Sequence, residues 1–110
     1  MKQEIKYEEF KKIELKIATI KSAEDHPNAD KLYVLKIDFG NEERRIVAGI
    51  KDHYRKEELI GKQIVIVANL EAAKLRGVES QGMLLAADNG KGKIVLLTPD
   101  KKIENGAEVK

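Results

Sequence analysis

"RRIVAGIKDHYRKEELIGKQIVIVANL", residues 44–70, changes pattern twice in a single run. Residues 44–50, RRIVAGI, with β-branched Ile46, Val47 and Ile50, read as a strand. Residues 53–61, HYRKEELIG, are rich in good helix formers and end at Gly61, the residue type that sits just past a helix C-terminus. Residues 63–70, QIVIVANL, return to a strand pattern. One short helix therefore lies between two strands, and the fold depends on what flanks them.

Both flanks are strand-like. Upstream, Leu15–Ala23 alternates, with Leu15, Ile17 and Thr19 on one face. EDHPNAD breaks it: His26 precedes a proline, and Asn28 and Asp30 are turn formers. Lys31–Phe39 forms a second strand whose spacing changes phase, Leu32 and Val34 sharing one face, Ile37 and Phe39 the other. A bulge or sharp coil in mid-strand would reconcile them. GNEE reads as a hairpin turn into the strand at 44–50. Downstream come a loop at 69–81, a fifth strand GMLLAAD, a turn DNGKGK and a sixth strand IVLLT. The tail PDKKIENGAEVK carries two spaced apolar residues, Ile103 and Val109. At the other end, YEEFKKIEL places Tyr7, Phe10 and Ile13 about one helical turn apart, consistent with a single turn packing on the domain.

Three strands, a short helix, two strands and an extension define an all-β chain. The expected fold is an OB-fold: a five-stranded barrel with a short helix between strands three and four and a C-terminal strand extension. The expected organisation is one domain over residues 1–110, with neither internal repeat nor low-complexity tract. In such barrels the loops joining strands one to two and four to five border the ligand face. Here they are EDHPNADK and NLEAAKLRGVESQG, the least regular stretches of the chain.

Composition narrows the function. No cysteine is present, so disulfides and thiolate metal sites are excluded. No apolar run reaches the ~20 residues of a membrane-spanning helix. The charged start MKQEIKYEEF lacks a signal-peptide core, which makes the cytoplasm the default location. With 21 Lys+Arg against 19 Asp+Glu, a polyanion binder would have to gather its cations on one face. Three Tyr, two Phe and no Trp are a poor supply for stacking the bases of a single strand.

The catalytic constellations fail on spacing. A nucleophile elbow at Ser80 requires glycine on both sides at a distance of two; Gly82 fits but Val78 does not, and strand rather than helix follows. His26 and His53, with Asp25, Asp30 or Asp52, lack metal-ligand spacing. Neither GxxxxGK[ST] nor GxGxxG occurs. No enzyme activity, cofactor or metal is expected. The two loops instead gather Asn28, Lys31, Asn69, Lys74, Arg76 and Ser80 with two glycines. That set of cations, hydrogen-bonding side chains and closely approachable backbone suits phosphate and sugar. On pattern alone it fits nucleic acid, and also oligosaccharide or protein.

The blocks HPNADKLYVLKIDFG, RRIVAGI, VANL and KLRGVESQGMLLAA, in this order, resemble the tRNA-binding domain associated with methionyl-tRNA synthetase. That domain occurs as a C-terminal appendix of the synthetase, as a separate beta subunit and as a free-standing tRNA-binding protein. The resemblance spans about residues 5–110. It implies a non-catalytic module that recognises tRNA by shape, chiefly at its outer corner, and raises tRNA affinity during aminoacylation. It also implies a possible methionyl-tRNA synthetase catalytic chain as partner. A free-standing tRNA-binding or chaperone-like protein and a protein-interaction scaffold are the alternatives. The start at Met1 without a linker favours an independent chain, although an excised domain would read alike. The motif positions carried over are Asn28, Lys31, Asn69, Lys74, Arg76, Ser80 and Met83. The basic residues and asparagines are the expected RNA contacts; Ser80 and Met83 could equally shape the loop, with Met83 expected in the core. Leu75 stands where many relatives have Met, a volume-conserving change. Finally, the apolar strand Ile94–Leu97, the tail and the N-terminal Ile5, Tyr7 and Phe10 lie outside a completed barrel. They predict a homodimer through the N- and C-terminal segments.

Overall fold

The computed structural model describes residues 1–110. In chain order the elements are α1 (Tyr7–Phe10), β1 (Leu15–Asp25), β2 (Tyr33–Asp38), β3 (Glu43–Ala48), α2 (Lys56–Leu59), β4 (Gln63–Val67), β5 (Ala73–Leu75), β6 (Val78–Ser80), β7 (Met83–Leu84), β8 (Ala86–Asp88), β9 (Ile94–Leu96) and β10 (Glu108–Val109).

β1 is long enough to serve two neighbours. Its second half pairs antiparallel with β2, from Thr19↔Asp38 to Asp25↔Tyr33. Its first half pairs with β4, from Leu15↔Val67 to Thr19↔Gln63. A register shift between Ile20 and Ser22 marks the change, with Lys21 as the extra residue that bends the strand. The main sheet runs β3-β2-β1-β4-β7. It curls until β3 meets the segment after β6, and there Gln81 N–H donates to the Arg45 carbonyl at 2.9 Å. The result is a nearly closed five-stranded barrel with α2 between the third and fourth strands, an all-β OB-like architecture as the sequence implies.

Alternation fills the interior. Ala18 and Ile20 face inward from β1, and after the bulge so does Ala23. Tyr33, Leu35 and Ile37 face inward from β2, Ile46 and Ala48 from β3, Ile64 and Ile66 from β4. α2 is a single turn started by Glu58, whose carboxylate accepts the Arg55 N–H at 2.8 Å. It inserts Leu59, fully buried, into the end of the barrel. Burial of such a side chain contributes about 1.5–3 kcal/mol, enough to hold one turn that would not persist alone. Gly61 follows at φ +89, the left-handed position expected of it.

Four local expectations change. The bulge lies on β1, not β2: β2 and β3 pair without interruption from Tyr33↔Ala48 to Asp38↔Glu43, because Tyr33 and Leu35 join Ile37 on the inward face. The fifth strand divides at Leu85. Met83–Leu84 pair with β4, whereas Ala86–Asp88 pair with β9 in a separate two-stranded ribbon. Within that ribbon Leu96 packs into the core and donates its N–H to Tyr54 Oη at 3.0 Å, so part of the sixth strand is covered by its own chain. The single turn at Tyr7–Phe10 forms, but it only half-buries Phe10, and Tyr7 is 65% exposed.

The C-terminal tail also returns to its own barrel. β10 continues the edge of β1 where β2 stops, with Leu15↔Val109. Gly106 N–H donates to the Ile17 carbonyl at 2.7 Å, and Ile17 N–H to the Ala107 carbonyl at 2.9 Å. Gln63 fixes the approach, donating to the Ile103 carbonyl at 2.6 Å and accepting the Ile103 N–H at 3.2 Å. A Cβ on Gly106 would stand 2.6 Å from the Phe39 carbonyl oxygen, so only glycine lets the tail lie this close.

Candidate nucleic-acid interface

The stretch expected as an irregular loop at 69–81 is largely a hairpin. β5 and β6 pair as Ala73↔Ser80, Lys74↔Glu79 and Leu75↔Val78, leaving Arg76 and Gly77 as a two-residue turn. Both have positive φ, 55° and 90°, the combination that matches the twist of a tight hairpin. Asparagine usually takes the first of these positions. Arg76 is the one non-glycine residue of the chain at positive φ. A left-handed conformation costs a substituted residue roughly 1–2 kcal/mol. The chain thus holds a guanidinium at the tip despite that penalty, and backbone strain of this kind clusters at functional sites.

The hairpin tip is joined to the β1–β2 loop. Asn28 Nδ2 donates to the Arg76 carbonyl at 3.3 Å, and Arg76 Nη2 donates to the Asn28 carbonyl at 3.3 Å. Buried beside them, the His26 ring spans 2.8 Å from Nε2 to the Leu75 carbonyl, while its Nδ1 accepts the Asn28 N–H at 2.9 Å. The two loops expected to border the ligand face are therefore one connected unit.

At the base of the hairpin, Arg45 Nε donates to the Glu79 carbonyl at 3.3 Å. Arg45 also lines a concavity of about 440 Å³ on the outer face of β1–β3, with Ser22, Glu24, Val34, Lys36, Glu43, Arg44 and Gln81. Lys36 and Arg45 stand directly opposite each other across β2 and β3. Like charges in that relation destabilise a sheet, and a bound anion would reverse the sign of the interaction. Neither these two nor Lys74 and Arg76 make an ion pair within the chain. Lys36 and Arg45 did not stand out in the sequence. Their signal was the outward phase of two strands, readable once Tyr33, Leu35 and Ile37 are set inward.

The remaining candidates divide. Lys31 is exposed in the β1–β2 loop and lies 3.7 Å from Asp52, a loose surface pair. Asn69 stands apart from the clasp: its Oδ1 accepts the Glu14 N–H at 2.8 Å and its Nδ2 donates to the Lys12 carbonyl at 2.6 Å, tying the N-terminal segment to the end of β4. Ser80 is buried, accepting the Val47 N–H and donating to the Gly82 carbonyl, both at 2.9 Å. Its hydroxyl closes β3 against β6. Met83, expected in the core, is 46% exposed at the start of β7.

Asp25, at the end of β1, accepts from Lys56 at 3.1 Å and Lys51 at 3.2 Å. These bonds, that to Lys56 foremost, hold its carboxyl below the usual aspartate value. They tie the start of the β1–β2 loop to α2. The groups are largely solvated and steady the loop without dominating stability.

The family described as "Putative tRNA binding domain" matches residues 15–108. The methionine–tRNA ligase of Pyrococcus furiosus is 59% identical over 108 residues, which are 98% of this chain and 15% of the ligase. That of Thermotoga maritima is 56% identical over 105 residues, 96% of this chain and 16% of the ligase. The chain thus spans about one sixth of these relatives. Among solved structures, a MetRS related protein from Pyrococcus horikoshii superposes with a TM-score of 0.93 at 42% identity, covering 99% of this chain and 100% of the other. The chaperone CsaA from Bacillus anthracis superposes with a TM-score of 0.91 at 32% identity, covering 98% and 100%.

Proposed function

The chain belongs to the tRNA-binding domain family, and from that membership we propose a non-catalytic module that binds tRNA through its backbone and works beside methionyl-tRNA synthetase. The observation that carries the mode of binding is the clasped pair of loops, which presents unpaired Lys74 and Arg76 next to a groove holding unpaired Lys36 and Arg45. Four such cations, in a chain with three Tyr, two Phe and no Trp, suit phosphates and ribose more than stacked bases. The tRNA is recognised by shape, at its outer corner. Asn28 and Lys31 orient the loop side of the contact and Met83 offers apolar area at its margin, whereas Ser80 supports the hairpin base from behind and Asn69 ties down the N-terminal segment apart from it.

Work beside the synthetase is supported by the ligases of Pyrococcus furiosus and Thermotoga maritima, in which a similar stretch forms a small part of the length. A free-standing tRNA-binding protein is the second reading, and it is favoured by solved relatives that this chain matches from end to end. Either role belongs in the cytoplasm, where tRNA is charged; no helix is long and apolar enough to cross a membrane. A homodimer through the terminal segments fits both readings. Ile5, Tyr7 and Ile13 are exposed, and Tyr7, Phe10 and Ile13 share a shallow groove with Val109.

The direct test is titration of labelled tRNAs by fluorescence anisotropy across a salt series. Affinity should fall steeply as salt rises, with a log–log slope of several released counterions. Different tRNAs should bind within a few-fold of one another, because phosphate contacts carry no sequence. A strong preference for one anticodon overturns shape recognition. Stimulation of methionylation when the chain is added to a synthetase catalytic chain separates the first reading from the second.

A further inference from the structure

We propose that His26 is a positioning residue for tRNA binding: a neutral imidazole that locks the Arg76 hairpin to the β1–β2 loop. This rests on the reading of that hairpin as an RNA contact. The chemistry of the ring leaves one arrangement. The Leu75 carbonyl can only accept, so Nε2, 2.8 Å away, carries the proton. The Asn28 backbone N–H can only donate, so Nδ1, 2.9 Å away, carries the lone pair. Both ring nitrogens are satisfied, and the side chain is buried at 5% exposure. The backbone N–H of His26 also donates to the Leu32 carbonyl at 3.1 Å, closing the base of its own loop.

The hairpin needs such a lock. β5 and β6 form a two-stranded sheet of their own and share no ladder with the barrel strands. Their base is fixed by Ser80 and Gln81 against β3, but the tip lies beyond those bonds. At the tip the two Asn28–Arg76 bonds are both 3.3 Å and exposed, whereas the His26–Leu75 bond is shorter and shielded. A contact shielded from competing water contributes more to holding the geometry. His26 touches no ligand in this scheme. It acts through Leu75 on the residue that follows, and so sets where the Arg76 guanidinium points.

Two substitutions separate the halves of the ring. His26→Gln places a carboxamide N–H where Nε2 donates and keeps the link to Leu75. His26→Asn keeps an acceptor for the Asn28 N–H, as in an Asx-turn, but cannot reach Leu75. With 3′-labelled unfractionated tRNA in anisotropy titrations, His26→Asn should weaken binding by roughly tenfold and His26→Gln by no more than about threefold, tenfold being about 1.4 kcal/mol. In a His26→Asn/Arg76→Ala double variant the losses should not add, because one acts through the other. Equal affinities for His26→Asn and the unaltered protein, with Arg76→Ala still weakened, overturn the lock alone. An unweakened Arg76→Ala removes both the lock and the hairpin reading. The unaltered protein supplies a measurement independent of any variant's folding. The ¹⁵N resonances of the His26 ring should show the neutral Nε2–H tautomer with a slowly exchanging proton. A proton on Nδ1, or a rapidly exchanging ring proton, overturns the proposal.

Discussion

Arg76 and Asn28 each donate a side-chain N–H to the other's main-chain carbonyl, at 3.3 Å in both directions. The exchange pins the tip of one loop to the turn of another, and it holds Arg76 at φ 55. Under the proposed role of Arg76, binding and backbone comfort compete at one residue. Arg76→Asn gives an Asn-Gly pair, the preferred sequence for this turn. Stability to urea should stay level or rise by up to about 1 kcal/mol. Affinity for tRNA should fall by the value of a charged hydrogen bond, roughly 1.5–3 kcal/mol. Parallel urea melts and tRNA titrations test this, and a variant that is both less stable and equally tight would remove the argument.

Lys36 faces Arg45 across two strands with no carboxylate bonded to either. Lys36→Gln should raise stability by a few tenths of a kcal/mol, since it relieves a like-charge pair. It should also reduce the salt slope of tRNA binding by about one counterion, uniformly across tRNAs. An unchanged slope means that no phosphate reaches the groove at this point.

Ser80→Ala removes the partner of the buried Val47 N–H and of the Gly82 carbonyl. The expected loss is about 1–3 kcal/mol of stability, the cost of unpaired buried groups. Affinity measured well below the melting temperature should change less than for Arg76→Ala. A large affinity loss without a stability loss would give Ser80 a direct place in the contact.

Asp25 ties the β1–β2 loop to Lys56 and Lys51, and its lowered pKa fixes the sign of a pH effect. The unfolded chain titrates near the ordinary aspartate value, about 3.9, and the folded chain lower. Its contribution is therefore complete above that value and disappears as pH falls through the folded pKa. Asp25→Asn should be less stable than the unaltered protein at neutral pH, and the gap should close only under strongly acid conditions. Denaturation curves from pH 7 to about pH 2 report this. A gap that widens on acidification contradicts the assignment.

The proposed homodimer predicts a particle of about twice the 12.4 kDa chain mass by sedimentation equilibrium. Ile13→Lys, in the exposed N-terminal segment, should shift that particle toward monomer without loss of the barrel's circular dichroism. A monomer for the unaltered chain at roughly tens of micromolar rules the pairing out. The exposed Tyr7 and Ile13 would then be free for a different partner.

The barrel was legible because each of its strands alternates or is β-branched and its one internal helix ends in glycine. Details that depend on pairing were not. The phase change around Leu35 pointed to a bulge in the wrong strand, because Tyr33 reads as amphipathic until its hydroxyl is seen donating to the Tyr54 carbonyl at 2.7 Å. The hairpin at 73–80 was hidden because Arg-Gly is an unusual turn pair. Of the candidate contacts, Lys74 and Arg76 are exposed on one hairpin and Asn28 joins them. The roles of Asn69 and Ser80 could not be read from residue type, since an amide or hydroxyl serves backbone and ligand equally well. His26 read as a turn residue before proline, and nothing local announced a partner 49 positions away.

The pairing of β1 with β10 sets an order in time. β2 can join β1 soon after both leave the ribosome, but Leu15–Ile17 wait for Gly106–Val109 before their outer edge is covered. At synthesis rates of about 5–20 residues per second, that edge stays open for on the order of several seconds. An open strand edge is a template for pairing with another chain. During that interval neighbouring nascent copies on one message are the nearest strands able to fill it, so the segment Gly106–Val109 also protects β1 from its siblings.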